Sequence, residues 1–269
     1  MRKLSCWKNI DRERMQDYTF DTLLAIMKRL RRECPWDSEQ THDSIKGHTI
    51  EEAYEVVEAI DDANYEDLRA ELGDLLLHVV FHAEIAEGEG RFSIHEVLKA
   101  IIDKLIRRHP HIFSDVSVND SDDVKRNWEQ IKMDEGRESV IDGVPRSLPA
   151  LLKAYRMQDK ASKIGFDWER DDDVLEKVRE EIEELRAAVR TKDSVRVENE
   201  FGDVLFSLVN YARFLRVNPE DALRRTIRKF DTRFRYVERR LRDSGKEPGE
   251  ATLAEMDVFW NEAKRREHQ

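Results

Sequence analysis

Apolar residues recur along almost the whole chain with the period of an α-helix. They fall at positions i, i+3, i+4 and i+7, which share one face of a helix. The pattern predicts helices over 19–33, 48–62, 65–87, 94–108, 149–161, 171–190, 194–215, 219–243 and 252–266. No stretch shows convincing strand character. The sequence therefore predicts an all-α protein.

Two stretches interrupt this pattern near the middle of the chain. The acidic, serine-rich "SDVSVNDSDD" covers residues 114–123, and "DGVPRSLP", with one glycine and two prolines, covers residues 142–149. Both compositions are typical of loops and linkers. The segment between them is compatible with a further helix. We therefore predict an N-terminal domain over 1–113, a linker over 114–149 and a C-terminal domain over 150–269.

The two halves share one acidic pattern. "EEAYE" at 51–55 precedes "ELGD" at 71–74, and "EEIEE" at 180–184 precedes "EFGD" at 200–203. Glu181 follows Glu52, and Glu200 follows Glu71, by the same 129 residues. A repeat of this size indicates a duplicated domain, because solenoid units are shorter.

The repeated acids border apolar stripes on their helices. In the second half, the stripes beside the acids consist of Val178, Ile182, Leu185 and Val189, and of Phe201, Val204, Leu205, Leu208 and Ala212. In the first half they consist of Ala53, Val56 and Ile60, and of Leu72, Leu75, Leu76 and Val79. If the two helices of each half pack antiparallel through these stripes, four carboxylates converge. These are Glu181, Glu184, Glu200 and Asp203 in the second half, and Glu52, Glu55, Glu71 and Asp74 in the first.

Four close carboxylates do not all stay ionised without a cation. Oxygen ligands of this kind suit Mg²⁺ or Mn²⁺, which also accept phosphate oxygens. A single Glu-x-x-Glu is more often a solvated helix face. The duplicated arrangement favours a metal site in each half.

Composition narrows the class of partner. The net charge of −11 argues against binding of a nucleic-acid polymer, which needs a basic surface. Two cysteines give no disulfide framework, and no stretch is apolar enough for a signal peptide or a membrane span. We therefore expect a cytoplasmic protein that does not associate with membranes.

Four further motifs accompany the acids. They are "CPWDSEQTH" at 34–42, "RRHPHIF" at 107–113, "KASKIGFDW" at 160–168 and "KFDTRFR" at 229–235. With the doubled Glu-Glu-x-x-Glu and Glu-x-x-Asp pattern, the chain resembles the MazG family of nucleoside triphosphate pyrophosphohydrolases, within the all-α NTP pyrophosphatase superfamily. The resemblance covers essentially the whole chain. It implies two tandem helical domains that form four-helix-bundle units, which we expect a homodimer to complete.

The resemblance also implies an activity. This is Mg²⁺-dependent hydrolysis of nucleoside triphosphates to NMP and pyrophosphate, with broad NTP and dNTP specificity and a role in clearing the nucleotide pool; Mn²⁺ is a possible substitute. The implied metal ligands are the eight acids given above. The implied nucleotide-binding residues are Lys177, Lys229, Arg233 and Trp260. Glu180, or one of the ligand carboxylates, is expected to orient or deprotonate the attacking water.

The halves differ in cationic residues. The stretch 224–242 carries nine Lys or Arg and two acids. At a spacing of 129 residues, Lys229 corresponds to Ala100 and Trp260 to Ile131. We therefore predict that the second half hydrolyses the nucleotide. Two alternatives stay open: a related enzyme with a narrower substrate, such as a dUTP or dCTP pyrophosphatase, and a non-catalytic helical dimer that binds or regulates.

Two residue pairs have more than one reading. His78 and His82 are spaced like metal ligands, but the second half has Ser207 and Tyr211 at the matching positions, so structural roles are predicted for both. Gly73 and Gly202 indicate either a close approach of helices or room for metal and phosphate.

Overall fold

The computed structural model describes residues 18–267, apart from residues 119, 121–122, 125–126, 129–130, 132–134 and 136–137. Helices dominate, and no strand occurs in this described part of the chain. The predicted all-α class is confirmed. The chain divides into two compact units, residues 1–117 (unit 1) and 118–269 (unit 2). The further helix predicted after residue 123 falls mostly on residues outside this description.

Unit 1 is built around a hairpin of two long helices. Its helices are α1 (Phe20–Glu33), α2 (Pro35–Glu39), α3 (His42–Asp61), α4 (Tyr65–Gly88), α5 (Ile94–Arg108) and α6 (Pro110–Phe113). The α3–α4 hairpin is the main packing contact, and α1 and α5 each contact α4. The core beneath this hairpin consists of Met27, Ile45, Val80, Phe81 and Ile85.

Side-chain caps set the helix boundaries. The Thr41 side chain accepts from the backbone N–H of Ser44, and the Ser44 hydroxyl accepts from the N–H of Thr41. This reciprocal capping satisfies two donors that a helix start leaves unpaired. The helix predicted over 48–62 therefore begins at His42. Asn64 caps the next helix in a similar way, by accepting from Glu66 and Asp67.

Unit 2 repeats the hairpin. Its helices are α7 (Ala150–Ser162), α8 (Asp171–Thr191), α9 (Ser194–Phe214), α10 (Pro219–Asp243) and α11 (Leu253–Arg266). The α8–α9 hairpin is again the main packing contact; α7 contacts α9 and α10, and α11 contacts α10. The starts of α8 and α9 follow those of α3 and α4 by the repeat spacing seen in the acids.

The predicted apolar stripes are only partly buried. The buried residues of α8 are Val174, Val178, Glu181 and Ala188, so the packed stripe passes through one of the acids. Four members of the predicted stripes are instead 41–56 % exposed: Val189, Phe201, Leu205 and Leu208. This part of the prediction was wrong, because α8 and α9 carry more apolar surface than their neighbouring helices in unit 2 cover. Ile60, Leu72, Leu76 and Val79 repeat the exposed pattern in unit 1.

Neither recurrent glycine is explained by close packing. A Cβ atom added at Gly73 or at Gly202 would meet no atom within 4 Å. The prediction that these glycines allow a close approach of helices is therefore wrong within each unit. The structure shows open space beside each helix at these positions. None of the helices in the described residues is both long enough and apolar enough to cross a membrane.

Candidate active site

Three carboxylates converge on the α8–α9 hairpin. One oxygen from each of Glu181, Glu184 and Glu200 lies within 4.8 Å of the others. The first two are three residues apart on α8 and so share a face. Glu200 faces them from α9. Glu181 is buried, Glu200 is half-buried and Glu184 is exposed.

The electrostatics of this group fit a cation. Desolvation, followed by the charges of Glu181 and Glu200, raises the pKa of the Glu184 carboxyl above its usual range. The part of this shift that comes from neighbouring carboxylates is repulsion among like charges, which a bound cation would relieve. Three carboxylates from two facing helices are also the hard oxygen donors that Mg²⁺ and Mn²⁺ accept. The residues present therefore fit a divalent metal.

Asp203, the fourth predicted ligand, lies outside this group of three. Its side chain is exposed and lines a neighbouring cavity together with Glu181. It follows Glu200 by almost one helical turn on α9. The structure thus brings three of the four predicted acids together and places the fourth at the cavity beside them.

A lysine lies against the buried acid. Lys177 Nζ is 2.9 Å from an oxygen of Glu181 and 3.1 Å from one of Glu180. The bonds to Glu181 and then Glu180 raise the pKa of Lys177 to about 12, so the amine stays charged at any physiological pH. Glu180 itself is exposed and stands outside the group of three.

Arg196 is a second cation at the site and was not among the residues predicted from the sequence. Its Nε lies 3.6 Å from an oxygen of Glu200. The signal was available, because a basic residue four positions before an acid on a helix lies beside it. The arginine contacts the acid on the face of α9 that carries the site.

A cavity of ≈ 590 Å³ opens beside the carboxylates. Its polar lining includes Lys177, Glu181 and Asp203, and its apolar lining includes the exposed rings of Phe166, Trp168 and Phe206. The first two rings belong to the "KASKIGFDW" motif, which covers the end of α7 and part of the connection to α8. Two amide side chains on the wall, Gln158 and Asn210, had no signal in the sequence pattern.

The other predicted nucleotide-binding residues form a separate group on α10 and α11. The Arg233 guanidinium pairs with the Glu267 carboxylate and lies 5.6 Å from the centre of the Trp260 ring. Lys229 is exposed one turn earlier on α10. Among the described residues that line the cavity, none of Lys229, Arg233 and Trp260 is found. Of the four predicted nucleotide-binding residues, Lys177 is thus the one that lines the cavity.

Unit 1 repeats the carboxylate group. Oxygens of Glu52, Glu55 and Glu71 lie within 4.8 Å of one another. Desolvation, followed by neighbouring carboxylate charges, raises the pKa of Glu52 and of Glu71. Asp74 is exposed and again stands outside the three, although its charge contributes to both shifts.

Histidines occupy the interior next to this second group. His78 Nε2 lies 3.8 Å from an oxygen of Glu52. The Thr49 hydroxyl is 3.3 Å from His78 Nδ1 and 3.1 Å from His82 Nε2, and His82 Nδ1 is 2.8 Å from His42 Nδ1. Burial lowers the pKa of both His78 and His82. The network links α3 to α4, in keeping with the structural roles predicted for these histidines.

Comparison with protein families decides the relationship. The sequence-family model of the MazG nucleotide pyrophosphohydrolase domain matches the chain twice, at residues 40–113 and 170–237. The chain belongs to the MazG family. The resemblance stated from the motifs is confirmed, as are the tandem arrangement of two helical domains and the prediction that the protein is an enzyme, a hydrolase of this family.

Individual relatives cover nearly the whole chain. The chain is 46 % identical over 256 residues to the nucleoside triphosphate pyrophosphohydrolase of Escherichia coli (strain K12), spanning 92 % of this chain and 97 % of that protein. It is 44 % identical over 250 residues to the nucleoside triphosphate pyrophosphohydrolase/pyrophosphatase MazG of Thermotoga maritima, spanning 91 % and 95 %. It also matches the uncharacterized protein YabN of Bacillus subtilis at 46 % identity, over 54 % of that longer protein.

Proposed function

We propose that this MazG-family protein hydrolyses nucleoside triphosphates to NMP and pyrophosphate, and that unit 2 performs the reaction with Mg²⁺. The observation that carries the proposal is the group of three carboxylates, paired with Lys177 and opening onto a cavity of ≈ 590 Å³. The names of relatives 44–46 % identical over most of the chain support the same reaction.

Glu181, Glu184 and Glu200 would hold the metal, with Asp203 available at the cavity beside them. Mg²⁺ bound there would neutralise phosphate charge and lower the pKa of a bound water, and Mn²⁺ could take its place. The equivalent acids of unit 1, Glu52, Glu55, Glu71 and Asp74, are proposed as a second metal site with a regulatory or supporting role. The chemistry of both sets of oxygen donors supports this assignment.

The cationic side chains act on the phosphates. Lys177 holds a permanent positive charge in the lining of the cavity, where it stabilises the negative charge that builds up on departing pyrophosphate. Glu180, fixed by its ion pair with Lys177, accepts the proton of the attacking water at its carboxylate. Lys229, Arg233 and Trp260 remain proposed nucleotide-binding residues, supported by their clustering on α10 and α11.

The cavity supports a broad choice of base. Its aromatic lining offers rings on which any planar base can stack, because every base has a π-face. We therefore propose ribo- and deoxyribonucleoside triphosphates of several bases as substrates, and removal of unwanted nucleotides as the physiological task.

We further propose a homodimer. Some of the exposed apolar residues of unit 2 form rows along α9 and α10: Phe201, Leu205 and Leu208 on α9, and Leu223, Ile227, Phe230 and Phe234 on α10. Contiguous exposed apolar faces of this kind mark association surfaces. Light scattering during size-exclusion chromatography should give twice the chain mass, and Leu205→Glu should shift the population towards the monomer. A monomeric wild-type protein at micromolar concentration contradicts this part of the proposal.

The reaction is tested by product analysis. Purified full-length protein is incubated with Mg²⁺ and a panel of common and altered nucleoside triphosphates, and the products are separated by ion-exchange chromatography. NMP and pyrophosphate are expected, with loss of turnover in EDTA and recovery on adding Mg²⁺ or Mn²⁺. NDP and phosphate would refute the choice of bond. Turnover of a single dNTP would favour the narrower enzyme, and no turnover would favour a binding module.

A further inference from the structure

A buried histidine borders the carboxylate group of unit 1. His78, on α4, is 9 % exposed, and its Nε2 lies 3.8 Å from an oxygen of Glu52, one of the three grouped acids. This separation is too long for a hydrogen bond. Nε2 is nevertheless not among the described side-chain atoms that are both unpaired and sealed from solvent. An accessible ring nitrogen therefore faces the acid without bonding to it.

The hydrogen bonds around Thr49 fix which nitrogen of His78 carries the proton. Burial, the largest cause, lowers the pKa of His78 and of His82, so both rings are neutral at physiological pH. The Thr49 hydroxyl donates to the Ile45 carbonyl at 3.3 Å, so its oxygen accepts from its two other partners. These partners are His82 Nε2 at 3.1 Å and His78 Nδ1 at 3.3 Å. His78 is thus protonated at Nδ1, and its Nε2 directs a lone pair towards Glu52.

The facing nitrogen and oxygen have the spacing of two ligands of one metal ion. Imidazole nitrogen and carboxylate oxygen bind Zn²⁺ at about 2.0–2.2 Å, so two such ligands lie at most about 4.2 Å apart. The 3.8 Å between His78 Nε2 and the Glu52 oxygen falls within this limit. A metal-ligating histidine also donates its other N–H to a neighbouring oxygen, as Nδ1 does here to Thr49.

Asp74 adds a further carboxylate on the same side of α4. It precedes His78 by four residues, which places the two side chains next to each other on the helix. After desolvation, the charge of Asp74 is the largest cause of the raised pKa of Glu52. Glu52 on α3 therefore lies close to both residues of α4, and the three offer two oxygen ligands and one nitrogen.

Unit 2 has no equivalent nitrogen. Ser207 occupies the position that corresponds to His78, and its hydroxyl donates to the Val204 carbonyl. No histidine occurs in the described residues of unit 2. Imidazole suits ions such as Ni²⁺ and Zn²⁺, whereas sites with oxygen ligands alone suit Mg²⁺ and Mn²⁺. The two units therefore differ in the kind of ion that their ligands favour.

We propose that the metal site of unit 1 takes His78 Nε2 as a ligand beside Glu52, and that it therefore prefers a late first-row transition ion to Mg²⁺. The proposal rests on the second metal site proposed above for unit 1. Glu52 is the ligand common to His78 and the carboxylate group. The other two histidine-network residues, His42 and His82, keep their structural role.

The first experiment detects the nitrogen ligand directly. Full-length protein carrying Glu200→Ala, which disrupts the carboxylate group of unit 2, is loaded with Mn²⁺. Pulsed electron paramagnetic resonance then measures magnetic coupling between the ion and directly bound nitrogen. We expect this coupling with native His78 and its loss in His78→Ser, which introduces the residue of unit 2. His48→Gln is the matched control and should keep the coupling, because His48 Nδ1 contacts Glu51 instead.

The second experiment compares metal affinities by isothermal titration calorimetry in the same Glu200→Ala background. We expect Co²⁺ to bind more tightly than Mg²⁺ when His78 is present. Thr49→Val removes the acceptor of His78 Nδ1 and should weaken Co²⁺ binding by roughly 10–100-fold, the usual cost of losing a partner that orients a ligand. His78→Ser should weaken it at least as much. Neither change should affect Mg²⁺ binding to a similar extent, because Mg²⁺ prefers oxygen ligands.

The outcomes separate this proposal from the one on which it rests. Mn²⁺ bound to unit 1 without nitrogen coupling overturns the role of His78 and leaves an oxygen-only metal site intact. That result decides even if His78→Ser fails to fold. Equal losses of Co²⁺ and Mg²⁺ affinity in Thr49→Val and His78→Ser would indicate a purely structural histidine, and would also overturn the proposal. Absence of any metal binding in the Glu200→Ala protein refutes the unit 1 site itself.

Discussion

The two units hold the same three carboxylates in the same arrangement but surround them differently. In unit 2, Lys177 pairs with the buried Glu181, whereas unit 1 has His48 at the matching position, and that side chain contacts Glu51 instead. Arg196 stands beside Glu200, and its counterpart in unit 1 is an acid, Asp67. Duplication has kept the acidic group in both units and the permanent cations beside it in one.

The space next to the acids differs as well. Asn210 lines the cavity of unit 2, and its counterpart in unit 1, Phe81, is 4 % exposed and packs in the hydrophobic core. The counterpart of the small Ser207 is His78, which faces Glu52. Unit 1 therefore uses this region for packing, and unit 2 leaves it open to a ligand. Carboxylates alone do not make the site, because a triphosphate also needs room and positive charge.

The largest expected effect is on kcat, and it distinguishes the acidic group of unit 2 from that of unit 1. Glu200→Ala should lower kcat for pyrophosphate release by about 10²–10³-fold, the order seen when one group that stabilises developing charge is removed. The matched change, Glu71→Ala, should leave most of the activity. Initial rates at saturating Mg²⁺ and nucleotide give the comparison. Loss of turnover in Glu71→Ala with full activity in Glu200→Ala would reverse the roles of the units.

Asn210→Phe gives unit 2 the residue of unit 1. The larger ring should fill the cavity and weaken nucleotide binding by roughly 1–3 kcal/mol, the usual cost of overpacking, which is about 5–150-fold in KM. The change in KM should exceed that in kcat, because Asn210 is not among the three carboxylates. Steady-state kinetics with ATP measures both values, and circular dichroism checks the fold. An unaltered KM would show that the nucleotide binds elsewhere.

Lys177→His gives unit 2 the residue that unit 1 has at this position and removes a permanent positive charge from the site. The native lysine, with a pKa of about 12, stays charged across the physiological range, whereas a histidine of ordinary pKa is mostly neutral at pH 8. We expect about a tenfold lower kcat at pH 8, the size of one charge-assisted hydrogen bond. The deficit should shrink at pH 6, where imidazole is protonated. A pH-rate profile tests this, and an equal loss at both pH values would show that charge is not what Lys177 contributes.

The smallest expected effect is on the thermal stability of the metal-free protein. The pKa of Glu184 is raised in the folded protein, so the folded state binds its proton more tightly than the unfolded state does. Stability gained from that proton is present at low pH and is lost as pH rises through the raised pKa. Glu184→Gln should therefore raise the Tm of metal-free protein slightly at pH 7, and this difference should vanish below the carboxyl pKa.

Mg²⁺ should reverse the order of the Tm values of wild-type protein and Glu184→Gln, and this reversal is the control. Addition of Mg²⁺ is expected to raise the Tm of wild-type protein more than that of Glu184→Gln, because binding to the folded state stabilises it. In unit 1, Glu71→Gln should likewise raise the Tm of metal-free protein at pH 7, because the pKa of Glu71 is also raised. A lower Tm for metal-free Glu184→Gln at pH 7 would contradict the raised pKa of Glu184 in the folded protein.

The sequence predicted most helices and the pairing of Glu181 and Glu184 with Glu200, since helical spacing places such residues on one face. It erred where several arrangements satisfy the same spacing. Val189, Phe201 and Leu205 fit the period of a buried stripe as well as Val178 does, yet they are exposed. Periodicity shows that a face is apolar, but not which neighbour covers it.

The sequence by itself determined the helical class, the duplication at constant spacing and the family, because these depend on local periodicity and on motifs read along the chain. Only the tertiary structure decided that Asp203 stands apart from the other three acids, that Lys177 and Arg196 contact them, and that a cavity lined by Gln158 and Asn210 opens beside them. These features join residues from different helices. Their distances follow from how the helices pack, which no single stretch of sequence records.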